Sequence, residues 1–119
     1  MDTDAVIAVL SRVLDPEFPT NIVKMGLVTP ADVTITDDDL IVEFAPTSPM
    51  CPMGAVIGIL MRKALEDVNP GKHVIVRLRP GSHMREAASN NMIMDDQQYQ
   101  AAIEKLRASG ALDRLIISE

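Results

Sequence analysis

The single cysteine of the chain, Cys51, stands in the run Phe44-Ala45-Pro46-Thr47-Ser48-Pro49-Met50-Cys51-Pro52-Met53-Gly54, between an alternating apolar segment and a strongly amphipathic one. Pro52 suits the first position of a helix, where its missing N–H would have no partner in any case, and this puts Cys51 at the N-cap. A thiolate there meets unsatisfied backbone N–H groups and the positive end of the helix dipole. Both lower a thiol pKa and favour a nucleophile or a metal ligand. Free cysteines also serve as small buried hydrophobes, so position alone leaves a reactive and a structural thiol both open. Thr47 and Ser48 carry hydroxyls that either bond to the thiolate or a ligand, or stabilise the turn. Asp15 and Glu17, in a loop bounded by Pro16 and Pro19, either face the cysteine loop or close the turn after the first helix.

A complete metal site needs several ligands, and the chain offers Cys51, His73, His83 and dispersed carboxylates with no CxxC, HExxH or HxxxH spacing. A metal or cluster held at Cys51 therefore draws its other ligands from a second subunit or a partner. Nucleophilic catalysis would instead bring His73 or His83 to the thiol as a base. Asp37-Asp38-Asp39 lacks the spaced glycine and distal glutamate of a calcium loop and reads as a solvated turn. No glycine-rich loop precedes a Lys-Ser/Thr pair, which argues against phosphate chemistry.

The balance of 11 basic against 17 acidic residues, a net charge of -6, includes no basic cluster, and the only aromatic side chains are Phe18, Phe44 and Tyr99. Nucleic acid is thus a poor partner. The acidic start, Met1 to Asp4, is unlike a signal peptide. No apolar stretch is long enough to span a bilayer, and the single thiol suits a reducing compartment, so a cytoplasmic location is expected.

The elements that must position these groups follow from apolar spacing. Val6, Ile7, Leu10, Val13 and Leu14 share one face of a helix from Thr3 to Leu14, with Asp2, Thr3 or Asp4 to cap it. Alternation of Val33 and Ile35, then Leu40, Val42 and Phe44, predicts a hairpin about the aspartates. Met53, Val56, Ile57, Leu60, Met61, Ala64, Leu65 and Val68 make a continuous helical stripe from Pro52 to Val68, in which Gly54 and Gly58 suggest close backbone approach. His73 to Arg79 alternates as a strand. Ser82 to Met94 shows no clear period, Gln97 to Ala108 predicts a helix closed by Gly110, and Leu112 to Ile117 a short strand. The fold class expected is α/β (α+β), a two-layer sandwich with helices on one face of a small mixed or antiparallel sheet, in the order helix, hairpin, helix, strand, helix. All 119 residues form one domain in this reading.

Leu14-Asp15-Pro16-Glu17, Asn21-Ile22-Val23, Gly26-Leu27-Val28 and Thr47-Ser48-Pro49-Met50-Cys51-Pro52, in that order, resemble the SufT/PaaD-like metal-sulfur cluster assembly factor family. The resemblance covers roughly Val6 to Leu78. It implies a two-layer fold, a role in assembling or delivering iron-sulfur clusters, and Cys51 as the functional thiol, with Asp15, Glu17, Thr47 and Ser48 shaping the site. It further implies a non-enzymatic factor that holds iron or a cluster only transiently and works with client metalloproteins and the assembly machinery, with a homodimer as one way to pair two copies of Cys51. Residues 80–119 diverge: they contain no Trp and no cysteine-rich ending. That divergence fits a dedicated maturation factor for one multicomponent iron oxygenase; a small cysteine-nucleophile enzyme is the alternative from another class.

Overall fold

The computed structural model describes residues 2–18, 20–48, 50, 53–69 and 71–117. Helix α1 (Thr3–Leu10) starts on Asp2, whose carboxylate accepts the N–H of Ala5 at 2.9 Å. It stops short of Leu14 because Val13 and Leu14 turn to other partners: the Val13 carbonyl accepts from Ile22 N at 3.0 Å, and Leu14 N donates to Leu115 O at 2.8 Å. A single 3-10 turn (Pro30–Asp32) then feeds β1 (Val33–Ile35), which pairs antiparallel with β2 (Asp39–Phe44).

Helix α2 (Gly54–Val68) crosses over to β3 (His73–Leu78), which lies parallel to β2, so the three-stranded sheet is mixed with order β1-β2-β3. In the observed register Leu40, Val42 and Phe44 stand opposite Val74, Val76 and Leu78, and all six are buried. They meet Ile57, Leu60, Met61 and Leu65 of α2 in one apolar cluster. The other face carries polar cross-strand pairs, Glu43 with Arg77 at 2.9 Å and Asp39 with His73 at 3.4 Å, as expected of the uncovered side of a sheet. This is the two-layer arrangement expected. Among the described residues no helix is long and apolar enough to cross a membrane.

The C-terminal third departs from the sequence reading. Three helices follow β3 where one was expected: α3 (Glu86–Met94), α4 (Asp96–Ala108) and α5 (Ala111–Leu115). α3 buries only Ser89 and Ile93, which is why its period is hard to see. α5 stands in place of the expected tail strand, and only Ile116 forms an isolated bridge, with Val13.

Arg62 of α2 fixes these helices. Its guanidinium, buried in a residue only 7% exposed, donates to the Ile93 carbonyl at 2.8 Å, to Asp96 Oδ1 at 2.7 Å and to Glu66 Oε2 at 3.0 Å. Ile93 belongs to the last turn of α3, whose carbonyls lack helical partners, and Asp96 to the first turn of α4. One cation therefore serves the negative end of one helix and the first carboxylate of the next. It also lies 3.9 Å from the Tyr99 ring centroid, while the Tyr99 hydroxyl donates to Glu66 Oε1 at 3.1 Å. Burial alone would lower the Arg62 pKa, but Asp96 and Glu66 more than reverse this and hold it above its usual value. Burial, then the Glu66 carboxylate, push the Tyr99 hydroxyl well up.

Steric fit completes the anchor. A Cβ on Gly58 would collide with Ile93 Cδ1, and would stand 2.8 Å from its Cγ1 and 3.1 Å from Phe44 Cε1. Gly58→Ala should therefore destabilise the protein by about 1–2 kcal/mol in urea unfolding, despite alanine's better helix propensity. Gly71→Ala, with open space around it, should stay within about 0.5 kcal/mol of wild type. Equal effects at both positions would contradict the packing argument.

A second expectation concerns acid. Asp32 is part-buried, which by itself raises its pKa, yet the hydrogen bonds from Arg79 and Thr29 outweigh burial and hold the carboxyl below its ordinary 3.8. A depressed carboxylate stabilises the fold above its unfolded pKa and stops doing so as pH falls through the lower folded value. Arg79→Met should cost about 1 kcal/mol at neutral pH, and the gap between variant and wild type should close below about pH 4, as urea midpoints across pH would show.

Candidate functional site

The parallel strands β2 and β3 end together at Phe44 and Leu78, and the loops that leave them gather at the N-terminus of α2. In open sheets of this kind the carboxyl ends of parallel strands are where ligands are met. Arg79 ties this end down: its N–H donates to Phe44 O at 2.7 Å, and Nη2 reaches both Asp32 oxygens at 2.9 and 2.8 Å.

A run of backbone hydrogen bonds joins the loop after α1 to the exit of β2. Ile22 N donates to Val13 O, Leu27 N to Ile22 O, and Ala45 N to Leu27 O, each at 3.0 Å. Gly26 allows the chain to turn back between these steps, since its φ of 80° is one that side chains disfavour. Thus the Asp15 loop and the Thr47 loop are bonded into one scaffold.

Within it Asp15 is buried, 2% exposed, and its Oδ1 accepts the N–H groups of Glu17 at 2.7 Å and Phe18 at 3.4 Å, while Asp15 N donates to Thr20 O at 3.1 Å. Its carboxylate organises the proline-bounded loop and holds Glu17 and Phe18 at the surface. Thr47 and Ser48 are exposed, and Ser48 Oγ accepts from Met50 N at 3.2 Å, a turn-forming bond in the cysteine loop. Cys51 and Pro52 lie outside the described residues. The described helix begins at Gly54, two residues later than expected, with Met53 and not Cys51 in the N-cap position and no cap bond from the Met53 side chain.

The residue that sequence reasoning undervalued is His83. Its ring packs on the start of α2, with Nε2 only 3.3 Å from where a Cβ on Gly54 would sit, which explains that glycine. His83 Nδ1 accepts the N–H of Arg85 at 3.0 Å. A neutral ring accepting through Nδ1 carries its proton on Nε2, so the nitrogen turned toward α2 is a donor. The Gly54/Gly58 spacing was the available signal: the first glycine admits His83 and the second Ile93.

Met50, Gly54, Ala55 and Val56 form one wall of an open groove of about 480 Å³, and His83, Met84, Arg85, Ala88, Ser89 and Met92 form the other. Among the described residues no three His, Cys, Asp or Glu side chains converge as a metal site.

A family model described as iron-sulfur cluster assembly protein matches residues 3–78, which run from α1 through β3. Protein AE7 of Arabidopsis thaliana is 33% identical over 108 residues, covering 88% of this chain and 69% of the relative. The MIP18 family protein galla-2 of Drosophila melanogaster is 27% identical over 121 residues, 99% of this chain and 78% of its own length. Cytosolic iron-sulfur assembly component 2B of Mus musculus is 27% identical over 107 residues, 87% of this chain and 66% of its own length. A family match across α1, the sheet and α2, with relatives aligned over most of the chain, shows that this chain belongs to the iron-sulfur cluster assembly protein family.

Proposed function

We propose that this chain is a cytoplasmic accessory factor that takes part in building iron-sulfur clusters or metal centres in client metalloproteins, with Cys51 as the thiol that receives and hands on iron or a cluster. The observation that supports the reading is the N-terminus of α2, which follows the cysteine in sequence by three residues and has the His83 ring packed on Gly54. Such a setting favours the thiolate form that binds metal. Asp15, Glu17, Thr47 and Ser48 shape the two loops around it.

Iron or a cluster is cargo here, held transiently. A metal or cluster needs several ligands, and this reading assigns those beyond Cys51 to a client, to the assembly machinery or to a second Cys51 in a homodimer. Nothing specific favours a single oxygenase as client.

Anaerobic incubation with ferrous iron and sulfide, followed by desalting, absorption spectra and iron analysis, tests the assignment. Wild type and a His73→Gln/His83→Gln variant should both retain iron, and Cys51→Ala should fall to the level of a protein-free control. Equal retention by wild type and Cys51→Ala would remove Cys51 from the account.

A further inference from the structure

The groove beside the cysteine loop does not end at Met92. Val56 and Met92 also line a second, mainly apolar hollow of about 400 Å³ that continues over Ile59, Ala101, Ala102 and Leu106. Two helices present one face each to this continuous channel. On α3 the positions are Ala88, Ser89 and Met92, preceded by Arg85 at its N-cap, and on α4 Gln98, Ala101, Ala102 and Lys105; both sets follow the i, i+3, i+4, i+7 spacing of a helix face. Each face extends about 10 Å along its axis, with small side chains in the middle that leave room for another helix. Of the six large apolar side chains left exposed among the described residues, Met50 at 72%, Met84 at 69% and Met92 at 41% all line the channel.

Charge says what kind of partner fits. Among the described residues no carboxylate lines either hollow, in a chain whose net charge is -6. The four acids of this helical region are engaged: Glu86 with Gly81 N, Asp95 with Gln98, Asp96 with Arg62, and Glu104 with Arg107. Arg85 in the first hollow and Lys105 in the second have no ion pair among the described residues. An apolar floor with a cation in each half complements an amphipathic helix that carries carboxylates beside its apolar stripe. Flexible methionines adapt to the apolar side chains of such a helix.

We infer that the channel formed by α2, α3 and α4 docks an acidic amphipathic helix of a partner protein. This deepens the proposed function and rests on it, since it describes how a client or assembly partner is held next to the cysteine loop. It is tested without iron, in the Cys51→Ser protein, so that failure of iron handling and failure of docking are separate results.

The probe is a synthetic helical peptide of roughly sixteen residues, about four turns, with leucines at i, i+3, i+4, i+7 and flanking glutamates, labelled for fluorescence anisotropy. It should bind at least about tenfold more tightly than the same peptide with lysines in place of the glutamates. Arg85→Glu combined with Lys105→Glu should reverse that order, and Ala88→Trp or Ala101→Trp, both at exposed positions, should abolish binding of either peptide. Methyl spectra should place the contact at Met50, Met84 and Met92. Equal affinity for both peptides, or absence of binding, would overturn the inference. So would a dimer in sedimentation that Ala101→Trp dissolves, because a second copy would then own the face.

Discussion

A single buried guanidinium decides how the last third of this protein is attached. Arg62 sits where α3 ends and α4 begins, and it neutralises both the unpaired carbonyl of Ile93 and the carboxylate of Asp96. Taking a cation out of water is costly, and the cost is met only because three acceptors and an aromatic face surround it. The result is orientation more than strength: the corner between the helices has one position that satisfies all of these bonds. Gly58 makes that position reachable by letting Ile93 rest on the α2 backbone.

The candidate site inherits this constraint. With α3 pinned on α2, the segment that joins it to β3 must pass the N-terminus of α2, which is what brings His83 onto Gly54 and sets Met84 and Arg85 across from Met50. The sheet supplies the opposite boundary through the bonds that link Val13, Ile22, Leu27 and Ala45. The cysteine and carboxylate loops are thus held from the sheet side, and the helical wall across from them is held by Arg62 and α2.

Much of this was legible in advance. Strict alternation in β2 and β3 and the long stripe of α2 specified the two layers, because burial on one face leaves a periodic trace. Asp15-Pro16-Glu17 and Thr47-Ser48, which the sequence singled out, stand in loops that the bonds through Ile22, Leu27 and Ala45 join. The exit of α1 was misplaced, since Val13 and Leu14 keep helical spacing while their backbone bonds go to other segments. α3 was missed because it buries only two side chains and owes its place to Arg62, a residue that in sequence looks like part of a solvated face. Long-range charge pairs leave no periodic signal, so neither the corner nor the groove wall could be read from spacing.

The most direct test of the account is amide hydrogen exchange in Arg62→Met, which keeps side-chain volume while removing the donors. Exchange in α3 and α4, residues 86–108, should accelerate about a hundredfold relative to wild type, corresponding to loss of about 2–3 kcal/mol of local protection, while β2, β3 and the core of α2 remain protected. Protection lost evenly across sheet and helices, or unchanged in α3 and α4, would contradict the claim that this one cation holds the C-terminal helices and, through them, the wall of the site.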